Sequence, residues 1–288
     1  MIPVYYQDEW ATIYHGDCRE IMPIFPDASI DLVLTDPPYG HNNHTGDLIH
    51  NWEKALGQVK RGEAEAGEAR PIANDSPEET QTLVAWLFPE IARLLKPGCC
   101  CCCCCGGGGG PDPQFARWSL MLDEAIGFKH AVVWDKGGLG MGWHYRRNYE
   151  FVLVAEKPGA ACNWHGDHRV ANVMRFSGIK PTSTDHPTVK PLGLFQRFVG
   201  LHSAPGETVL DPLMGSGIAL SAAKDLGRKS IGIELDERWC EIAARRLAER
   251  SANQPEGMLD GYRSEVAQRA GVRSIIQRKQ PRFRRRKS

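Results

Sequence analysis

The chain has 288 residues, 42% of them hydrophobic, which is enough for one sizeable α/β domain with insertions or two small domains. Its 35 basic and 35 acidic residues cancel, so global charge gives no pull toward nucleic acid. No apolar stretch reaches bilayer-spanning length and no N-terminal signal pattern is present, so a soluble, cytoplasmic protein is expected.

Residues 12–15 read as a short strand, and Gly16-Asp17 as a turn into a helix ending near Pro23. Residues 30–35 form an apolar run of strand length that leads straight into Asp36-Pro37-Pro38-Tyr39. Each residue of that loop has a chemical use. The carboxylate of Asp36 can accept hydrogen bonds from an amino group. Pro37 and Pro38 fix φ, restrict the residue before each of them, and lack N–H groups, so nearby carbonyls stay free to accept from a substrate. Tyr39 offers a flat face on which a base can stack. A stiff acceptor cluster beside an aromatic platform suits the planar, weakly nucleophilic amino group of adenine or cytosine.

Residues 41–73 are polar, Gly-rich and poorly periodic, and are expected as a surface excursion. His41, His44 and His50 lie in it, either as solvated loop residues or as part of a loop closing over a base. Residues 76–95 open with a capping box, Ser76-Pro77-Glu78-Glu79, and continue with apolar residues at helical spacing. Seven consecutive cysteines follow, Cys99 to Cys105, and then five glycines, Gly106 to Gly110. Neighbours on a strand point to opposite faces, so the run is no disulfide framework, and it lacks zinc-site spacing. Free cysteine behaves as a small hydrophobe, so the run reads as a central strand.

A helix is expected over residues 114–126 and strands over 131–134 and 151–155. Between those strands, Trp143-His144-Tyr145-Arg146-Arg147 mixes aromatics with positive charge, as nucleic-acid surfaces do and as ordinary turns also do. Residues 157–180 read as irregular. Cys162, His165 and His168 are spaced like metal ligands, but no fourth ligand is evident, and no metal site is assigned. Further elements are a helix over 192–202, a strand over 208–210, a helix over 217–226, a strand over 230–233 and an amphipathic helix over 237–250. Eight Lys/Arg residues and no acid occupy residues 273–288, so 251–288 is expected as a basic, disordered tail. Strands alternating with helices predict a mostly parallel sheet of about seven strands with helices on both faces.

Asp211-Pro212-Leu213-Met214-Gly215-Ser216-Gly217 lies between an apolar strand and an Ala-rich helix. Small residues there let the backbone approach a ligand at the helix N-terminus. Glu234 ends the next strand, where a carboxylate suits a ribose diol. Strand, glycine loop, helix, strand and acid together indicate a nucleoside-containing cofactor, and taken alone would equally fit NAD. Against NAD, Gly215 and Gly217 are followed by Ile218, Ala219 and Leu220 rather than the full dinucleotide fingerprint.

The pair of motifs resembles the S-adenosylmethionine-dependent DNA amino-methyltransferases, with their D/N/S-P-P-Y/F/W catalytic loop and D-P-F-x-G-S-G cofactor loop. The catalytic loop comes first here, which is similar to the permuted beta group of that family. His186-Pro187-Thr188-Val189-Lys190-Pro191 and His15-Gly16-Asp17-Cys18 match two further family segments, and the likeness covers most of residues 11–250. Leu213 stands where phenylalanine is usual and Ile218 where threonine is usual.

The resemblance implies a Rossmann-like methyltransferase fold with circularly permuted motif order, and a single methyltransferase domain over 1–250. It implies catalytic Asp36, Pro37, Pro38 and Tyr39, and S-adenosylmethionine held by Asp17, Lys190, Asp211, Pro212, Met214, Gly215, Ser216, Gly217 and Glu234. Double-stranded DNA is the expected partner, with His41, His44, Arg146 and Arg147 as candidate contacts and residues 41–73 and 157–180 as candidate recognition inserts. The target base must be flipped out to be reached. The resemblance allows a homodimer, and no nuclease motif is visible in the chain. Asp as first loop residue is commoner in the family with adenine than with cytosine, so N6 of adenine is expected. N4 of cytosine, an RNA or protein amino group, and a nucleic-acid-binding protein that has lost catalysis are the competing readings.

Overall fold

The computed structural model describes residues 2–41, 72–106, 114–138, 145–178 and 190–250. His44, Trp143, His144, the segment from His186 to Val189, most of 41–73 and the tail 251–288 lie outside the described residues. The described residues belong to one compact unit, Met1–Ala252.

Nine strands form one sheet: β1 (Tyr6–Gln7), β2 (Ala11–His15), β3 (Ile30–Thr35), β4 (Leu95–Cys105), β5 (Phe128–Asp135), β6 (Tyr149–Glu156), β7 (Val173–Arg175), β8 (Thr208–Asp211) and β9 (Lys229–Glu234). Their order is β1-β2-β9-β8-β3-β4-β6-β5-β7. Among the described residues five of the eight pairings are parallel, and β1/β2, β4/β6 and β5/β6 are antiparallel. The sheet thus contains the expected strands, about seven, and two more. The two extra ones, β1 and β7, are edge strands of two and three residues, too short to carry an alternating pattern. β7 also falls within residues 157–180, which read as irregular. Its partner β5 supplies the backbone groups that order it, as in the bond from the Val133 N–H to the Asn172 carbonyl, 2.7 Å.

Helices cover both faces: α1 (Cys18–Ile21), α2 (Pro77–Leu94), α3 (Gln114–Ala125), α4 (Leu192–His202), α5 (Ile218–Asp225) and α6 (Glu237–Ala248). One core layer joins α4, α5 and α6 to the sheet through Phe195, Phe198, Leu220, Cys240 and Leu247. The other joins α1, α2 and α3 through Ile21, Leu87, Phe88, Trp118 and Leu122. Strand β4 serves both. Cys100, Cys102 and Cys104 face the first layer and Cys99, Cys101, Cys103 and Cys105 the second, all buried. The run is therefore a strand with period-two alternation written in one residue type. Among the described residues no helix is long and apolar enough to cross a membrane.

The helix before β4 starts where the sequence says it should. The Ser76 hydroxyl accepts from the Glu79 N–H at 3.2 Å, and the Glu79 carboxylate accepts from the Ser76 N–H at 3.3 Å. Pro89 lies inside α2, which costs a hydrogen bond and about 3 kcal/mol. Burial of Leu83, Val84, Leu87, Phe88, Ile91 and Leu94 at about 1.5–3 kcal/mol each outweighs that cost.

The parallel strands β2, β9, β8, β3 and β4 all end on one edge of the sheet. The helices after β8 and β3 go to opposite faces, so a crevice opens beyond the ends of these two strands. Asp211 ends β8 and Asp36 follows β3.

Candidate active site

Asp36 leaves β3 on this edge with both carboxylate oxygens engaged. Oδ1 accepts from the Tyr39 hydroxyl at 2.6 Å, and Oδ2 lies 2.8 Å from Lys190 Nζ. The loop that carries it is tied down from a distance. The buried carboxylate of Asp75 accepts from three successive backbone N–H groups, those of Tyr39 (3.0 Å), Gly40 (2.8 Å) and His41 (3.2 Å). The Gln114 side chain donates to the Tyr39 carbonyl at 2.5 Å. Gly40 has φ +71°, and a Cβ there would stand 3.1 Å from Pro77 Cα, so a tight turn against the start of α2 needs glycine. Pro37 is buried, whereas Asp36, Pro38 and Tyr39 are half-buried.

The Tyr39 ring is placed by three neighbours. Trp118 lies tilted at 6.3 Å, His41 edge-on at 6.0 Å, and the Lys190 ammonium 5.0 Å from its centroid. Gly106, just past β4, makes room for it, since a Cβ there would sit 3.3 Å from the ring. Burial, then the Asp36 charge, holds the phenol well above its usual pKa, so it stays a hydrogen-bond donor.

Lys190 is the centre of a buried charge network. Its ammonium lies 2.8 Å from Asp36 and 3.4 Å from Glu150, and Glu150 in turn pairs with Lys136. Burial works to neutralise Lys190, but the carboxylates of Asp36 and Glu150 more than offset this and its pKa is raised. Burial likewise opposes the charge on Glu150, and Lys190 and Lys136 together leave its pKa lowered. Two cations and two carboxylates thus alternate, each buried charge compensated. The sequence placed Lys190 with the cofactor residues, and the structure sets its ammonium on Asp36.

The glycine loop is held by the strand beside it. Met214 N–H donates to the Ile233 carbonyl at 3.0 Å, and Gly215 N–H to Glu234 Oε2 at 2.9 Å. Glu234 Oε1 accepts from Asp236 N–H at 2.8 Å. Gly215 and Gly217 have φ +49° and +74°, and a Cβ on Gly217 would come within 2.8 Å of Ala243, so α5 and α6 pack closely only because it is glycine. Met214 and Pro212 are buried, and the Ser216 carbonyl accepts from Arg246 at 2.7 Å. Asp211 is buried, accepting from Leu213 N–H at 3.2 Å. Burial, opposed by its hydrogen bonds and aided by the charges of Asp36 and Glu234, pushes its carboxyl up to about 7. Burial also raises the pKa of Glu234. Asp17 caps α1, accepting from Arg19 N–H at 2.8 Å, and the Arg19 guanidinium holds its carboxyl low. The ends of β2, β9, β8 and β3 therefore present Asp17, Glu234, Asp211 and Asp36 in a row, an acidic crevice.

His41 is exposed at the end of the catalytic loop. Arg146 and Arg147 lie between β5 and β6, where Asp135 pairs with Tyr149, on the same edge of the sheet as Asp36. The chain just after β6 goes elsewhere. Gly98 N–H donates to the Lys157 carbonyl and Asn163 N–H to the Gly98 carbonyl, both at 2.8 Å, which fixes residues 157–163 at the opposite edge, where β4 begins. Sequence reasoning passed over Asp75, Gln114, Lys136 and Glu150. Glu150 left one signal, an acid just before the apolar run 151–155 of its strand. Asp75 left none beyond its place before a capping box.

A family model described as DNA methylase matches residues 30–245. The DNA adenine methyltransferase YhdJ of Escherichia coli is 26% identical over 281 residues, covering 85% of this chain and 85% of that protein. The M1.HpyAVI–SAM complex shares the fold with TM-score 0.59 and 24% identity, covering 82% of this chain and 98% of that one. The cytosine-N4-specific PvuII DNA methyltransferase shares it with TM-score 0.61 and 17% identity, over 90% and 93%. At 24% and 17% identity, these two solved structures share the fold with this chain and nothing finer. The match over residues 30–245 reaches further, and by it the chain belongs to the N6/N4 family of DNA methylases.

Proposed function

We propose that the protein moves a methyl group from S-adenosylmethionine to the exocyclic N6 amino group of adenine in double-stranded DNA. The observation that carries this reading is the Asp36 carboxylate, fixed at the end of β3 by Tyr39 and Lys190 beside an acidic crevice. The donor set of that crevice fits the cofactor. Each Glu234 oxygen accepts one backbone N–H and keeps a second lone pair for a ribose hydroxyl. Carboxylates at successive strand ends favour a cation. When bound, S-adenosylmethionine supplies a methyl group on a positively charged sulfur.

The chain's own residues do the rest by placement. Asp17, Glu234 and the loop from Asp211 through Pro212, Met214, Gly215 and Ser216 to Gly217 would hold the cofactor. Asp36 and the Pro37 carbonyl would accept the two hydrogens of the amino group and aim its nitrogen. Pro38 keeps that loop stiff, and Tyr39 would stack on the flipped base. Lys190, Glu150 and Lys136 would be positioning residues that set the angle of Asp36. His41, Arg146 and Arg147 would meet DNA. His44 with the insert 41–73 and the end of the insert 157–180, which follows β7 onto the Asp36 edge, would contribute to recognition, while 157–163 at the opposite edge would not. Most of the rate then comes from holding two reactants in line, with fixed charges assisting. Asp36 as first loop residue favours adenine over cytosine.

The test is expression in a host without DNA methylation, followed by sequencing that detects modified bases. N6-methyladenine at a defined site is expected. N4-methylcytosine would overturn the target base, and unmodified DNA with no cofactor binding by the purified protein would overturn the reaction.

A further inference from the structure

At the edge of the sheet opposite Asp36, two thiols and a carboxylate converge from three segments. Cys100 of β4 stands directly across from Glu156 of β6 in antiparallel register. Opposed residues of an antiparallel pair share a face of the sheet, so their side chains meet. The chain then doubles back over them. The Lys157 N–H donates to the Cys99 carbonyl at 3.0 Å, and the Asn163 N–H to the Gly98 carbonyl at 2.8 Å. Gly98 has φ +82°, and a Cβ there would sit 2.2 Å from the Ala161 carbonyl oxygen, so this return loop is pressed onto the start of β4. The Asn163 amide also donates to Glu207 at 2.9 Å. These ties set Cys162 over the pair. The two sulfurs and a Glu156 oxygen all lie within 4.8 Å of one another. Cys100 is buried and Cys162 exposed, so the group has a dry side and an opening to solvent. His165, in ligand-like spacing with Cys162, is not in this group, and its Nε2 lies 2.8 Å from Asn163 Oδ1.

We propose that Cys100, Glu156 and Cys162 form a site for a soft divalent transition-metal ion, zinc in the first place, with water as fourth ligand. Two thiolates select such an ion over magnesium or calcium. Bonds of about 2.3 Å to sulfur and about 2.0–2.2 Å to oxygen in a tetrahedron bring donors to roughly 3.5 Å apart. With all three donors already within 4.8 Å of one another, they need to close by at most about 1.3 Å, a movement an exposed Cys162 can make. On binding, each thiol loses its proton to solvent, two sulfur–metal bonds and one oxygen–metal bond form, and nothing is oxidised or reduced. The ion would clip the start of β4, the end of β6 and the return loop together, away from the catalytic loop.

The test uses the whole protein, reduced and freed of metal, titrated with cobalt(II) as a coloured substitute for zinc. One equivalent is expected to give a thiolate-to-cobalt charge-transfer band with tetrahedral visible bands, both removed by adding zinc. Cys162→Ser, at an exposed position, should keep the fold and lose the band, and Glu156→Gln should weaken binding. Absence of the band from the unaltered protein overturns the site. So does a band that Cys162→Ser retains, since the ligands would then lie elsewhere.

Discussion

The loop after β3 is fastened by side chains from three distant stretches of chain, Asp75, Gln114 and Lys190, whereas the loop after β8 is fastened by the strand beside it, through Ile233 and Glu234. The first is a loop built by tertiary structure around a single carboxylate. The second is a local motif whose shape is nearly complete within Asp211 to Glu234. Damage to the first should therefore appear in turnover, and damage to the second in cofactor affinity.

The largest expected separation comes from Asp36→Ala. Methyl transfer to DNA should fall by roughly 10³-fold or more, with cofactor binding by calorimetry nearly unchanged. A variant that methylates at a comparable rate would sink the assignment of Asp36. Asp75→Ala comes next, because it removes one charged acceptor from three backbone N–H groups. Each buried donor left without a partner costs about 1–3 kcal/mol, and an ångström of misplacement costs about 10²-fold in rate. Lower kcat with an unchanged cofactor Kd is the expected pattern, and Asp75→Asn should recover part of it. Glu234→Ala should invert the pattern, weakening cofactor binding by about 10–100-fold for the loss of a charged acceptor while kcat at saturation changes less. Should kcat fall first instead, the division between the two loops fails.

The smallest effect concerns pH. Asp211 has its carboxyl raised to about 7, chiefly by burial, from an ordinary value of 3.8. Between those values the folded protein binds more protons at this group than the unfolded chain does. Its contribution makes stability fall as pH climbs from about 4 toward 7 and levels off above, as linkage requires. Denaturant midpoints measured across that range should slope downward, and Asp211→Asn should flatten the slope.

The same contrast explains what could be read from the residues alone. The glycine loop, the capping box at Ser76 and the strands β3, β8 and β9 were legible, because each is specified by residues close in sequence. So was the cysteine strand, whose small apolar side chains fit any buried position. The identity of the loop residues Asp36 to Tyr39 was legible too, but not what holds them. Asp75, Gln114 and Lys190 are separated from that loop by tens of residues, and only the sheet order brings them to it. Lys190 reads as a cofactor residue from its local segment, and its contacts with Asp36 after β3 and Glu150 in β6 could not be read there. The edge strands β1 and β7 were missed because two or three residues cannot show a period.

Strand β4 carries a consequence for how this protein survives unfolding. Seven thiols lie in the core, divided between its two layers, where burial keeps them protonated and oxidants cannot reach them. Once the sheet opens, all seven reach water together on adjacent residues, with ordinary thiol acidity. In air they would pair among themselves or between chains faster than the strand can re-form, and each such bond forbids the alternation β4 needs. Heat-unfolded protein should therefore regain its helical signal on cooling with a thiol reductant present and fail to do so without one. For this molecule, reversibility belongs to the redox state of the solution as much as to the fold.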